Sequence, residues 1–246
     1  MRGPATGEAG KPLSILVHLA ELRKRLLRSV IAVAIATVLA FIFYHQIFDI
    51  LLYPAGEINL IFVEMTEMLG TIFRVCLVGG IMLAVPYLTY EFIMFVSPAL
   101  TSSEKRYVYL VLPWVAIMFA LGVVFGYFIL IPPTLRFLIS FGGDIATAQI
   151  RIGNYISIVT RLLLVTGLVF EMPVVTTFLS RIGVISGRWL ASKRKIVIVA
   201  AFILGAMITP PDALSQIMMA GPLLVLYELS ILLARIFGKK RKDAEA

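Results

Sequence analysis

Residues 107–135 run for 29 positions without an acid, a lysine or an arginine, and residues 29–48 for another 20. At about 1.5 Å of rise per residue, either run as a helix covers a hydrocarbon core of roughly 30 Å. Such runs cannot be solvated, and a small soluble core cannot hide two of them. The rest of the chain agrees: 60% of its 246 residues are apolar and 15% charged, against about 45–50% and roughly 25% in soluble domains. The chain therefore reads as an all-α membrane protein, one domain over residues 1–246 with short polar ends.

Four further spans are predicted. A second apolar stretch covers about 69–96, with Arg74 near its start and Glu91 near its end, where side chains snorkel or face a bundle interior. The third span is the 107–135 run, with Pro132-Pro133 expected to end it. It contains Gly122-Val-Val-Phe-Gly126, a spacing of small residues that lets helices approach closely. The fourth lies between Arg161 and Arg181, with Glu171 near its midpoint. The fifth has 16 uncharged residues, 196–211, of which about 14 precede Pro210, or roughly 21 Å of straight helix. It is short for an unperturbed bilayer. The sixth covers about 213–234, and a basic tail, 235–246, follows it. Because the 29–48 run is long and lacks a small-residue cleavage site, it reads as a retained first span rather than a removed leader.

The net charge of +8 would suit nucleic acid, but the basic residues sit at the edges of the apolar runs. Segments 1–28, 97–106, 181–195 and 235–246 hold 18 of the 22 lysines and arginines, leaving Arg74, Arg136, Arg151 and Arg161 elsewhere. Six spans with that asymmetry place both termini in the cytoplasm. The 49–68 loop, with four acids and no basic residue, is then external. Nucleic-acid binding is not expected.

Within segment 12–27, Ile15, Leu19, Leu22 and Leu26 recur at helical spacing, and Glu21, Arg25 and Arg28 fall on another face. An amphipathic helix lying along the cytoplasmic interface ahead of span one is expected. Glu21 and Arg25, four apart, are matched by a local ion pair. Thr101-Ser-Ser-Glu104 fits a capping box at the start of span three, and the same Glu104, in a cytoplasmic loop, is also placed to meet a cationic partner. Glu171, about ten residues from either end of its span, has to be neutral, paired or wetted. It is either a functional acid or one end of a buried interhelical hydrogen bond. Glu91 and Glu228 read as acids at the cytoplasmic edge.

Catalytic patterns are missing. No G-x-S-x-G or H-E-x-x-H occurs, His18 and His45 stand at opposite ends of span one, and Gly10-Lys11 lacks the upstream glycine of a phosphate loop. Gly142-Gly-Asp144 has no second intramembrane aspartate to work with. No enzyme activity, metal or cofactor is expected, and Cys76 alone cannot form an internal disulfide.

Four stretches together resemble the TatC family: His18-Leu-Ala-Glu-Leu-Arg-Lys-Arg-Leu-Leu27, Phe95-Val-Ser-Pro-Ala-Leu100 with Glu104, Phe170-Glu-Met-Pro173, and Thr209-Pro-Pro-Asp-Ala-Leu-Ser-Gln216. They occur in family order along nearly the whole chain. The resemblance implies a concave, glove-like bundle of six helices with spans five and six shortened. It further implies a receptor for signal peptides bearing paired arginines, which moves folded proteins across the inner membrane on the proton-motive force with the single-span partners TatB and TatA, in a complex with further copies of the chain. By motif, the signal site falls at Glu21, Arg23, Phe95, Leu100 and Glu104. The external-loop proline of the family corresponds to Pro54, its span-three aromatic to Tyr127, and its partner-helix polar group to Thr209 and Gln216, beside Asp212. Ser102-Ser103 stand where family members often carry a basic or bulky residue before the loop glutamate.

A small-solute secondary transporter is the competing reading, suggested by Glu171 and the prolines inside spans. Such folds show paired broken helices in their two halves. Pro86 and Pro113 have no counterpart at a constant offset in the second half.

Overall fold

The computed structural model describes residues 15–56, 60–96, 102–140, 149–208 and 213–238, with side chains from 18–56, 60–96, 109–140, 149–207 and 216–238. Helix α1, Ile15–Ile42, contains no proline or glycine, so nothing separates the amphipathic segment from span one. The two form one continuous rod of about 42 Å (28 residues), longer than a bilayer core. This corrects the expectation of a separate helix lying flat ahead of the span.

After α1, α2 (Tyr44–Leu52) and a short 3₁₀ turn (Tyr53–Ala55) lead to β1 (Leu60–Ile61) and then to α3 (Glu67–Val96). Helix α4 covers Ser102–Phe125. The chain then passes through a π turn, Gly126–Leu130, into α5, Ile131–Ser140. Pro132-Pro133 was expected to end the helix, yet the helical path continues past it. Both prolines fall in the first turn of α5, where the missing N–H is tolerated, and the wider π turn before them adjusts the ladder.

Strand β2, Ile150–Arg151, pairs in parallel with β1, tying together the connections before α3 and before α6. Glu67 adds to that tie, accepting from the Val63 N–H at 3.0 Å and the Gly153 N–H at 3.2 Å. Span four begins earlier than expected: α6 runs Ile152–Phe170 and α7 Met172–Arg181, with the break at Glu171. Pro173, second in α7, lacks the N–H that would continue the ladder. Glu171 therefore lies ten residues from the C-terminal end of the pair, and not at its midpoint.

Helix α8 (Gly187–Ser192) precedes α9 (Arg194–Ile208) and α10 (Ala213–Phe237). At 15 residues α9 extends about 22 Å, as its sequence requires. Helix α10, at 25 residues, is not shortened, contrary to the resemblance. By length and composition, five helical stretches among the described residues can each cross a membrane, and α9 is the short sixth.

The main pairings are α1 on α3, α4 on α6, α7 on α10 and α9 on α10. Gly122 and Gly126 make the α4–α6 contact possible, as their spacing suggested. A Cβ on Gly122 would stand 2.5 Å from the Thr166 carbonyl oxygen, and one on Gly126 would overlap the Thr166 hydroxyl. The largest core cluster among the described residues gathers around Phe48, Leu51, Ile131, Tyr155, Ile156 and Leu162.

Candidate functional site

The N-terminal part of α1 and the C-terminal part of α3 are zipped together by polar and aromatic contacts in antiparallel register. His18 stacks on Phe95, ring centroids 4.5 Å apart and planes 18° apart. One turn further along α1, Glu21 Oε1 accepts from both Nε (3.0 Å) and Nη2 (2.6 Å) of Arg25. The third guanidinium nitrogen, Nη1, donates to Glu91 Oε2 at 2.8 Å. Glu91 Oε1 accepts from the Tyr87 hydroxyl at 2.8 Å, with Arg28 Nη1 at 3.9 Å. On α1 the participants are three or four residues apart, and on α3 they are four apart, so each set shares a helix face.

Glu91 is almost fully buried, its side chain 4% exposed, whereas Glu21 is 32% exposed. This differs from the sequence expectation twice. The Glu21–Arg25 pair is present, but Arg25 also reaches another helix. Glu91, expected as an edge acid, is a buried, doubly bonded one. The signal that could have found it is Tyr87-x-x-x-Glu91-x-x-x-Phe95, one helical face carrying a donor, an acid and an aromatic. Glu228, on α10, is exposed and accepts from Arg194 Nε and Nη2, each at 2.7 Å. Those bonds and the adjacent negative charge raise the Arg194 pKa above its ordinary value.

Of the residues expected to meet a signal peptide, Glu21 and Phe95 lie on this zipped face, Phe95 stacked on His18 about one turn before Glu21. Arg23 is on α1 and exposed. Glu104 is in the first turn of α4, though its side chain, and with it the expected capping box, lies outside the described residues. Leu100 lies outside them too. Beside Glu21 is a hollow of about 340 Å³ lined by Ala20, Glu21, Lys24, Arg25 and Arg28.

Glu171, in the break between α6 and α7, is 4% exposed. Its Oε2 accepts from the Thr89 hydroxyl on α3 at 2.8 Å, and its Oε1 is buried with no hydrogen bond among the described residues. It borders a groove of about 470 Å³ with Val85, Thr89, Leu168, Met172 and Thr176. The interhelical hydrogen bond is thus present, and one oxygen is left over.

Pro54 and Tyr127 lie at the opposite end of the bundle from Glu21. Pro54 sits in the 3₁₀ turn after α2, and the Tyr127 hydroxyl donates to the Ile50 carbonyl at 2.7 Å, next to a matching bond from Tyr155 to Leu51 at 2.8 Å. The two tyrosines hold the end of α2. Gln216 on α10 donates to the Phe202 carbonyl on α9 at 2.9 Å. Thr209 and Asp212 lie outside the described residues. No group of three or more His, Cys, Asp or Glu side chains with metal-binding geometry occurs among the described residues.

The comparisons with known proteins point one way. Residues 17–222 match the family model of the Sec-independent protein translocase protein TatC. The chain is 44% identical over 233 residues to the Sec-independent protein translocase protein TatC of Desulforapulum autotrophicum, covering 93% of this chain and 86% of that one. It is 41% identical to the protein of the same name from Aquifex aeolicus, covering 93% and 97%. A crystal structure of the twin-arginine translocase receptor TatC superposes with a TM-score of 0.79 at 42% identity, covering 89% of this chain and 99% of that one.

Proposed function

This chain belongs to the TatC family of Sec-independent protein translocases, and from that membership we propose that it is a membrane receptor for paired-arginine signal peptides and a core subunit of a translocase for folded proteins. The observation that carries the reading is the α1–α3 face, where a partly exposed carboxylate, Glu21, and an aromatic, Phe95, stand at the end of a membrane bundle. Glu104 opens the adjacent helix. A guanidinium pair needs carboxylates that accept in a fork, and acids on two neighbouring elements provide them. Exposed pairs contribute only about 0.2–1 kcal/mol each, so in this reading apolar contact with the signal's hydrophobic stretch supplies the remaining affinity, a role assigned by motif to Phe95 and Leu100.

In this reading residues 1–246 form one membrane domain in the inner membrane, with both termini cytoplasmic. Residues 1–28 and 235–246 face the cytoplasm. The partners are single-span TatA and TatB subunits, membrane lipid and further copies of the chain, with Thr209, Gln216 and Asp212 near the partner helix and Pro54 and Tyr127 shaping the external loop. The proton-motive force drives transport, and the chain carries out no covalent chemistry of its own. Nothing supports a small-solute transporter.

The test is the affinity of a paired-arginine signal peptide for the purified chain in one detergent, compared among wild type, Glu104→Gln and Glu104→Ala. Glutamine keeps the reach of a capping side chain but not its charge. Recognition by charge makes Gln nearly as damaging as Ala, with losses of up to about fivefold from an exposed pair. It also makes paired-lysine peptides bind more weakly. Wild-type affinity in the Gln variant, with loss only in Ala, would leave Glu104 as a helix cap and place recognition elsewhere.

A further inference from the structure

Glu21 cannot attract a cationic ligand if its only neighbour is Arg25, because two guanidinium nitrogens already bond one of its oxygens. That pair sums to zero charge. The surroundings are positive: Lys24, Arg25 and Arg28 line the hollow beside Glu21, and Arg23 stands exposed on the same helix. A signal peptide carrying two guanidinium groups would be repelled from such a place.

The group that changes the balance is Glu91. Its buried carboxylate takes the outer nitrogen of Arg25 at 2.8 Å and is held from its other side by the Tyr87 hydroxyl. Arg28, half exposed, is 3.9 Å away and contributes less. Glu21, Arg25 and Glu91 together carry one net negative charge. Glu91 is shielded from solvent and Glu21 is not, so that charge is offered outward through Glu21, whose Oε2 has no hydrogen bond among the described residues.

We propose that Glu91 is a positioning residue for the signal-peptide site: from within the bundle it neutralises and anchors Arg25, so that Glu21 presents an uncompensated carboxylate to the arginine pair. The inference rests on the reading of Glu21 as part of that site. It differs from a purely structural α1–α3 ion pair in one measurable respect: a structural pair is damaged by losing Arg25 alone, whereas in the charge-balance reading Arg25→Gln leaves the carboxylates uncompensated and binding at least as tight.

The experiment measures the affinity of a fluorescent paired-arginine signal peptide for the full-length protein in detergent at low salt. The variants are Glu21→Gln, Glu91→Gln, Arg25→Gln and the double variant Arg25→Gln/Glu91→Gln, with folding followed by gel filtration and protease resistance. Glu91→Gln should weaken binding about threefold or more, and the double variant should return to within about twofold of wild type, since it again leaves one uncompensated carboxylate at Glu21. Arg25→Gln should bind at least as tightly as wild type. If Glu91→Gln does not fold, the double variant, which buries no unpaired charge, and Arg25→Gln still decide: weaker binding in either overturns the proposal. A double variant as weak as Glu91→Gln makes Glu91 structural only. Unchanged binding in Glu91→Gln while Glu21→Gln is impaired removes Glu91 and leaves the receptor reading intact, whereas unchanged binding in Glu21→Gln removes the assignment of Glu21 and this inference together.

Discussion

Two buried acids in this chain meet their surroundings in opposite ways. Glu91 has both oxygens occupied, by Arg25 and by Tyr87, and is satisfied as a charged group. Glu171 has a single neutral donor, the Thr89 hydroxyl, and a second oxygen with none among the described residues. An unpaired charge at that depth is expensive, so the residue's value lies in its polarity and shape. Glu171→Gln keeps an acceptor for Thr89 and should cost no more than about 1 kcal/mol, with normal yield and unfolding temperature in detergent. Glu171→Lys places a cation beside a donor and should cost several kcal/mol, about 3–5 by analogy with an uncompensated buried charge. Normal assembly of the Lys variant would show that the site is not the buried one seen here.

Between elements, close approach of backbones matters more than side-chain volume. Gly122 on α4 faces the backbone of Thr166 and Gly167 on α6, with no room for a methyl group. Gly122→Ala should therefore push the helices apart and lower stability by about 1–3 kcal/mol, read as a lower midpoint of thermal unfolding in detergent. Gly70, on α3, has nothing within 4 Å of the place a methyl group would take, and Gly70→Ala should be neutral or raise the midpoint, through a helix propensity gain of up to about 1 kcal/mol. Equal effects at the two positions would rule out close α4–α6 packing as the reason for the glycine spacing. The π turn at 126–130 belongs to the same scale. It lets one span carry Pro132-Pro133 without ending, which a reading based on proline alone does not anticipate.

For the molecule as a whole, the distribution of basic residues sets the expected orientation. Segments rich in lysine and arginine are expected to stay on the cytoplasmic side, and the acid-bearing 49–68 loop to cross. Single cysteines at Ser103 and Ser186, in a background where Cys76 is replaced, should react with an impermeant reagent only from the cytoplasm, and one at Glu57 only from outside. Labelling of the Ser186 position from outside would break the six-span arrangement. It would also remove the short α9 as a crossing element, the one span that length and composition alone do not establish.

Span number and membrane residence were legible in the chain because they depend on a local quantity, the length of uncharged runs. A close-packing face at Gly122 and Gly126 was legible for the same reason, since two glycines four apart define it without reference to any partner; that α6 fills it came from the tertiary structure. Helix breaks were less so, because Pro132-Pro133 passes while Pro173 accompanies an interruption at Glu171, and the neighbouring packing decides between them. The charge arrangement at the candidate site was hidden. Glu21 and Arg25 are four residues apart and announce their pair, but Arg25 and Glu91 are 66 apart. Only the packing of α1 along α3 brings them within 2.8 Å, and only the burial produced by that packing turns Glu91 from an edge acid into the group that frees the charge of Glu21.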